Sequence, residues 1–147
     1  MGSSASVPAD GASAGERYRL VLPTDLTLVG QAVETVMACC FANVDPSRRT
    51  RFRLATVVAE AVANAMLYGN RSDRTRQVTV EIEIFADRIV VAVADQGDGF
   101  DPAAVPPPGD ETLDATRGRG LFMIRRLADH VAFNPQGNTI WMTLPRR

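Results

Sequence analysis

The sequence predicts an α+β two-layer sandwich: a mixed, mostly antiparallel sheet covered on one face by three helices. Three observations carry that reading. Val78, Val80, Ile82 and Ile84 alternate with Thr79, Glu81 and Glu83, the period of a half-buried strand. Asp87-Arg88 is a hairpin turn into a second strand, Ile89–Ala94, so the sheet is antiparallel there. Two helical stretches precede this hairpin and one comes after it, giving the order β-α-α-β-β-loop-α-β-β, with the helices gathered on one face.

Residues 1–15 are dominated by Ser, Ala, Gly, Asp and Pro, a composition that predicts a disordered tail before a domain over 16–147. Met1-Gly2 through Ser6 fits the loose N-myristoylation pattern, but the Ser/Ala-rich tail is the preferred reading. Tyr18, Leu20 and Leu22 alternate with Arg19 and Val21 up to Pro23, an edge strand. Thr24 or Asp25 caps a helix to about Ala42, apolar at Leu28, Val29, Ala32, Val36 and Phe41. Asp45-Pro46 reads as cap plus first helical residue of the next, which runs to Tyr68 and leaves through Gly69-Asn70 in a left-handed exit. Arg71 to Arg76 is a charged loop before the hairpin. Asp101–Arg117 holds Pro102, Pro106, Pro107 and Pro108 and reads as a functional or mobile loop. Gly118 or Gly120 opens a helix to about Asp129. His130–Phe133 and Thr139–Leu144 then close the chain as two strands about an Asn-Pro-Gln-Gly-Asn turn.

At 147 residues the chain is one domain. A net charge of −1 gives no global electrostatic reason to expect direct nucleic-acid or membrane binding. All sixteen basic residues are Arg, so a phosphate must be met by backbone N–H, Arg or metal. Cys39 and Cys40 read as buried small hydrophobes, and the lack of a disulfide framework suits a reducing compartment. No apolar run reaches signal-peptide or membrane-spanning length.

Chemistry concentrates in three places. Glu60 and Asn64, four apart on a helix, share one face among Ala and Val. An Asn carbonyl oxygen can ligate Mg²⁺, and a Glu can take a proton. Asp95-Gln-Gly97-Asp-Gly99 comes after a strand, and suits a carboxylate accepting from the amino group of a base beside backbone that approaches closely. Gly118-Arg119-Gly120 opens a helix whose free N–H groups favour phosphate, with Arg117 and Arg119 supplying positive charge. The alternatives are an exposed helical stripe, a hairpin turn and a loop end. Neither a P-loop nor a Rossmann fingerprint is present. His130 reads as structural, and Trp141 and Phe133 as packing rather than stacking platforms.

EAVANAMLYGN (60–70), DQGDGFDP (95–102), GRGLFMIRRLAD (118–129) and GNTI (137–140) together resemble the Bergerat-fold ATPases of the gyrase, heat-shock protein 90, MutL and histidine kinase type. They are most similar to the small bacterial anti-sigma factor serine/threonine kinases, and the likeness covers about Tyr18 to Leu144. The resemblance implies ATP and Mg²⁺ as ligands, with Glu60 as general base and Asn64 holding the metal. It implies that Asp95 binds the adenine amino group, that Gly97 and Gly99 shape the pocket, and that Thr139 supports the adenine contact. Arg117, Gly118, Arg119, Gly120 and Leu121 fall to the phosphate side, and residues 101–117 to an ATP lid.

It further implies a cytoplasmic homodimer that holds a sigma factor and phosphorylates a STAS-type anti-anti-sigma protein. The family often has His where this chain has Tyr68. Gyrase- and MutL-like members use a Lys that this chain lacks, and His130 is misplaced for a histidine kinase. The competing expectation is a nucleotide-binding interaction module of the same fold without transfer activity.

Overall fold

A computed structural model of the protein describes residues 15–101, 103 and 115–147. Its elements are β1 (Glu16–Pro23), a 3-10 turn (Leu26–Leu28), α1 (Val29–Cys40) and α2 (Arg48–Asn64). A π turn (Ala65–Gly69), β2 (Gln77–Ile84), β3 (Arg88–Ala94), α3 (Ala115–Leu127), β4 (His130–Phe133) and β5 (Thr139–Pro145) complete them. The α+β order expected from periodicity is the order observed. The tail expected over 1–15 and the lid expected over 101–117 lie mostly outside the described residues.

The five strands lie in the order β1-β2-β3-β5-β4, and every neighbouring pair is antiparallel. A mixed sheet was the expectation, and the insertion of β5 explains the difference. β3 and β4 run the same way on either side of the α3 crossover, but β5 sits between them and pairs antiparallel with both. Val80 opposite Val93 and Val93 opposite Ile140 set a register that turns one apolar row to the helices.

On that face Val78, Val80, Ile82, Ile89, Val91 and Met142 are at most 2% exposed, packed with Leu54, Val57, Val58 and Val62 of α2. Val36 and Cys40 of α1 and Ile124 of α3 close the same core. On the opposite face Arg17–Glu83 (3.2 Å) and Arg19–Glu81 (3.6 Å) are cross-strand pairs whose arginines are exposed, each worth little to stability.

Helix ends differ from expectation in three places. Asp25 caps only the 3-10 turn, accepting from the Thr27 N–H at 3.0 Å, and α1 stops at Cys40. Ser47, not Asp45, caps α2 by accepting from the Thr50 N–H at 3.1 Å. Pro46 is therefore just outside the helix, buried rather than at its first position. Gly69-Asn70 is not the left-handed exit: Asn70 is right-handed, and Arg71 (φ 52) and Ser72 (φ 59) make the turn.

Burial pushes the Cys40 thiol up to about 12 from its ordinary 9.0, with the neighbouring Cys39 adding to the rise and Arg146 opposing it. The folded chain then keeps a proton that the unfolded chain releases above pH 9, so this contribution is intact below pH 9 and falls toward pH 12. Urea unfolding from about pH 9 to about pH 11 is expected to show a shallower loss of stability in Cys40→Ala than in the wild type.

Candidate functional site

Glu60 and Asn64 occupy successive turns of α2, both half-buried, at the seam where α3 crosses. Past Asn64 the helix widens into the π turn, closed by the Asn70 N–H donating to Ala65 O at 2.7 Å. Such widened turns recur at functional sites, because the extra residue re-aims the side chains beyond it. Here it carries Tyr68 and sets Gly69 against the end of β3. A Cβ on Gly69 would overlap the Asp95 carboxylate, and one on Gly97 would overlap the Gly69 carbonyl. No helical periodicity announces that stack.

Asp95 leaves β3 with its own N–H donating to Asn138 O at 2.9 Å, while its Oδ1 accepts from the Gly97 N–H at 2.8 Å. The next residue is held from behind by Asn70, which is fully buried. The Asn70 carboxamide donates to Thr24 Oγ1 (2.9 Å) and to Gln77 O (3.0 Å), and accepts from the Gln96 N–H (2.8 Å). One side chain thus joins the ends of β1, β2 and β3 beneath the site, a role that its expected part in a helix exit does not suggest. Asn70→Ala removes all three bonds in a buried setting and is expected to cost about 2–4 kcal/mol of stability by urea unfolding.

The turn between β4 and β5 is built the same way. Asn134 Oδ1 accepts from the N–H groups of Gly137 (2.8 Å), Asn138 (3.0 Å) and Thr139 (3.1 Å). Asn138 in turn donates to Gly97 O at 3.2 Å, tying this turn to the Asp95 loop. Gly99 (φ 88) and Gly137 (φ 81) meet backbone to backbone across that junction: a Cβ on either would overlap the carbonyl of Gln136 or of Phe100. Both conditions demand glycine.

Between these parts lies an open cleft. Asn64, Asp95, Gly99, Leu121 and Thr139 line it, five of the expected binding residues. Tyr68 and Asn138 also line it, as does Phe133, whose ring meets Phe100 edge-on with centroids 5.7 Å apart. Phe133 was expected as packing alone, and it is also a wall of the cleft.

Gly97 is buried behind Asp95, and Glu60 stands beside Gly120 rather than on the cleft lining. Arg119 is exposed on α3, and the Arg117 side chain lies outside the described residues.

α3 itself departs from expectation. It begins at Ala115, so Gly118 and Gly120 lie inside the helix rather than before it. The free N–H groups of a helix end with its third residue, here Arg117; those of Gly118 and Gly120 belong to the ladder. Gly120 instead serves close packing. A Cβ there would come within 2.7 Å of Glu60 Oε1 and 3.2 Å of Asn64 Nδ2. Only a glycine lets α3 lie this close to the two polar residues of α2.

The donor set fits a hard divalent cation and a purine nucleotide in character: one carboxamide oxygen, a neighbouring carboxylate, and a second carboxylate at the floor of an apolar-walled cleft. The Glu60 carboxylate has no hydrogen-bond or ion-pair partner among the described residues. No group of three or more His, Cys, Asp or Glu among the described residues forms a metal centre on its own.

Residues 22–144 match the family model of the histidine kinase-like ATPase domain. Among curated proteins the chain is similar to serine-protein kinase RsbW of Bacillus licheniformis, 35% identical over 98 residues, 61% of each chain. It is 34% identical over 98 residues to the same-named protein of Bacillus subtilis (strain 168), again 61% of each. It is 36% identical over 94 residues to that of Staphylococcus epidermidis, covering 58% of this chain and 59% of the relative. The matches thus span about three-fifths of the length of these relatives.

Proposed function

The chain belongs to the histidine kinase-like ATPase domain family, and from that premise we propose that it binds Mg²⁺-ATP and phosphorylates a serine or threonine of a partner protein. The partner is a STAS-type anti-anti-sigma protein, and the chain is an anti-sigma factor that holds or releases a sigma factor accordingly. It acts as a cytoplasmic homodimer. Among the described residues no helix is long and apolar enough to cross a membrane.

The observation that carries the reading is the convergence of Asn64, Asp95, Gly99 and Thr139 on one cleft, with Glu60 one turn before Asn64 on α2, beside Gly120. Asp95 accepts from the adenine amino group, its carboxylate held in place by the Gly97 N–H. Phe100 and Phe133 exclude water from the base. Asn64 holds the magnesium ion, which when bound neutralises charge on the phosphates. N–H groups at the start of α3, with Arg119, meet phosphate oxygens. Glu60 takes the proton of the attacking hydroxyl.

Transfer of label from γ-³²P-ATP to purified STAS-type proteins tests this reading. The wild type is expected to label one of them in a magnesium-dependent way, and Asn64→Ala to lose both labelling and magnesium-dependent ATP affinity. If the wild type binds ATP but labels none, the second reading wins: a nucleotide-binding interaction module without transfer activity. Tyr68, which lines the cleft at the position where the family resemblance implies His, is the residue that favours it.

A further inference from the structure

Eight of the sixteen arginines lie on α2 and α3, against a single acid, Glu60. Elsewhere sixteen acids outnumber eight arginines, so in a chain of net charge −1 these two helices are strongly basic. Arg51 pairs with Asp45 at 3.7 Å and Arg53 with Asp129 at 2.9 Å, while Arg125 lies over the Phe133 ring. Arg49, Arg119 and Arg126 are exposed and have no partner among the described residues. Beside them are two large apolar side chains in water: Phe52 is 57% exposed and Phe122 45%.

Arg49 and Phe52 are three apart on α2; Arg119, Phe122 and Arg126 recur at three and four on α3, so each set shares one helix face. Both faces point away from the sheet, because Leu54 and Val58 of α2 and Leu121 and Ile124 of α3 are buried on the opposite sides. The helices run antiparallel and in contact. Arg53 donates to Leu127 O at 2.7 Å at one end, and Gly120 abuts Glu60 at the other. The two stripes therefore form one surface whose seam holds Glu60.

We propose that this surface docks an acidic amphipathic helix of a partner protein, its carboxylates on Arg49 and Arg126 and its apolar side chains on Phe52 and Phe122. Paired ridges along two helices offer a groove that a third helix fills. Outside these helices acids outnumber arginines two to one, which argues for a short acidic segment over a long nucleic acid. The inference rests on the reading of the chain as one that acts on other proteins, and places that partner beside Glu60.

The test uses the full chain and a fluorescein-labelled peptide of about 18 residues, Glu and Leu in helical spacing. The wild type is expected to bind it with an affinity that weakens as salt rises. R49E/R126E and F52A/F122A should each bind about tenfold or more weakly, with unchanged circular dichroism and ATP affinity. Absence of peptide binding at about 1 mM, or wild-type affinity in both variants, overturns the proposal.

Two further results also overturn it: a single-stranded oligonucleotide that binds tighter and is lost in the same variants, or a dimer that F52A/F122A converts to monomer by light scattering. Label transfer separates this surface from the function above. Peptide binding without transfer by the wild type supports the surface and removes the kinase. Transfer at unchanged KM in both variants keeps the kinase and removes the surface.

Discussion

Glu60→Gln is expected to keep ATP affinity and lower phosphoryl transfer by about 10²–10⁴-fold, the usual contribution of a positioned general base. The amide matches the carboxylate in shape, so Gly120 and α3 remain packed as they are. What is lost is basicity, in a group that no described residue neutralises by pairing. Single-turnover transfer measured beside calorimetric ATP binding checks it. Transfer at the wild-type rate would show that Glu60 is not the base. A parallel loss of ATP binding would show instead that it supports the nucleotide, and the division of labour between Glu60 and Asn64 would be wrong.

Asp95→Asn is expected to weaken adenine-nucleotide binding about 10- to 150-fold, the value of a charged hydrogen bond of roughly 1.5–3 kcal/mol. The direction comes from the Gly97 N–H, which donates to Asp95 Oδ1 at 2.8 Å. An asparagine satisfies that donor with its only carbonyl oxygen, so its NH₂ group takes the other position. A donor then faces the amino group of the base. The fold should be spared, because Asn70 and Asn138 hold the backbone on both sides of residue 95 by bonds that do not use its side chain. Calorimetry with ATP and ADP reads the effect, and unchanged affinity would remove Asp95 from the base site.

The strands, their alternation and the number of helices were legible because each is a local property. The apolar row of β2 needs only eight consecutive residues to declare its period, and Asp87-Arg88 declares the hairpin. Boundaries were less legible. Asp45 and Ser47 are both competent caps for α2, and which one the chain uses depends on where tertiary packing starts the helix. Gly118 and Gly120 look like helix openers from sequence, since glycine disfavours a helix interior by about 1 kcal/mol. α3 includes them because Gly120 allows contact with Glu60 and Asn64 that a side chain would block.

Of the candidate site residues, Glu60, Asn64 and Asp95 were visible as polar or glycine-flanked interruptions of apolar pattern, whereas Thr139 came only from the family resemblance. Their convergence and their support were not. Asn70 reads from sequence as the end of a helix, yet it binds Thr24, Gln77 and Gln96, positions on three different strand ends. Asn134 and Gly137 read as ordinary turn residues, yet they seat the Asp95 loop. By itself the sequence determined the elements, their order and the candidate chemistry, because periodicity and turn preference are carried by neighbouring residues. The tertiary structure alone decided the placing of β5 between β3 and β4, the π turn that presses Gly69 against Asp95, and the asparagine ties beneath the cleft. Those arise from buried polar groups finding partners across the fold, a condition that no local window of the chain contains.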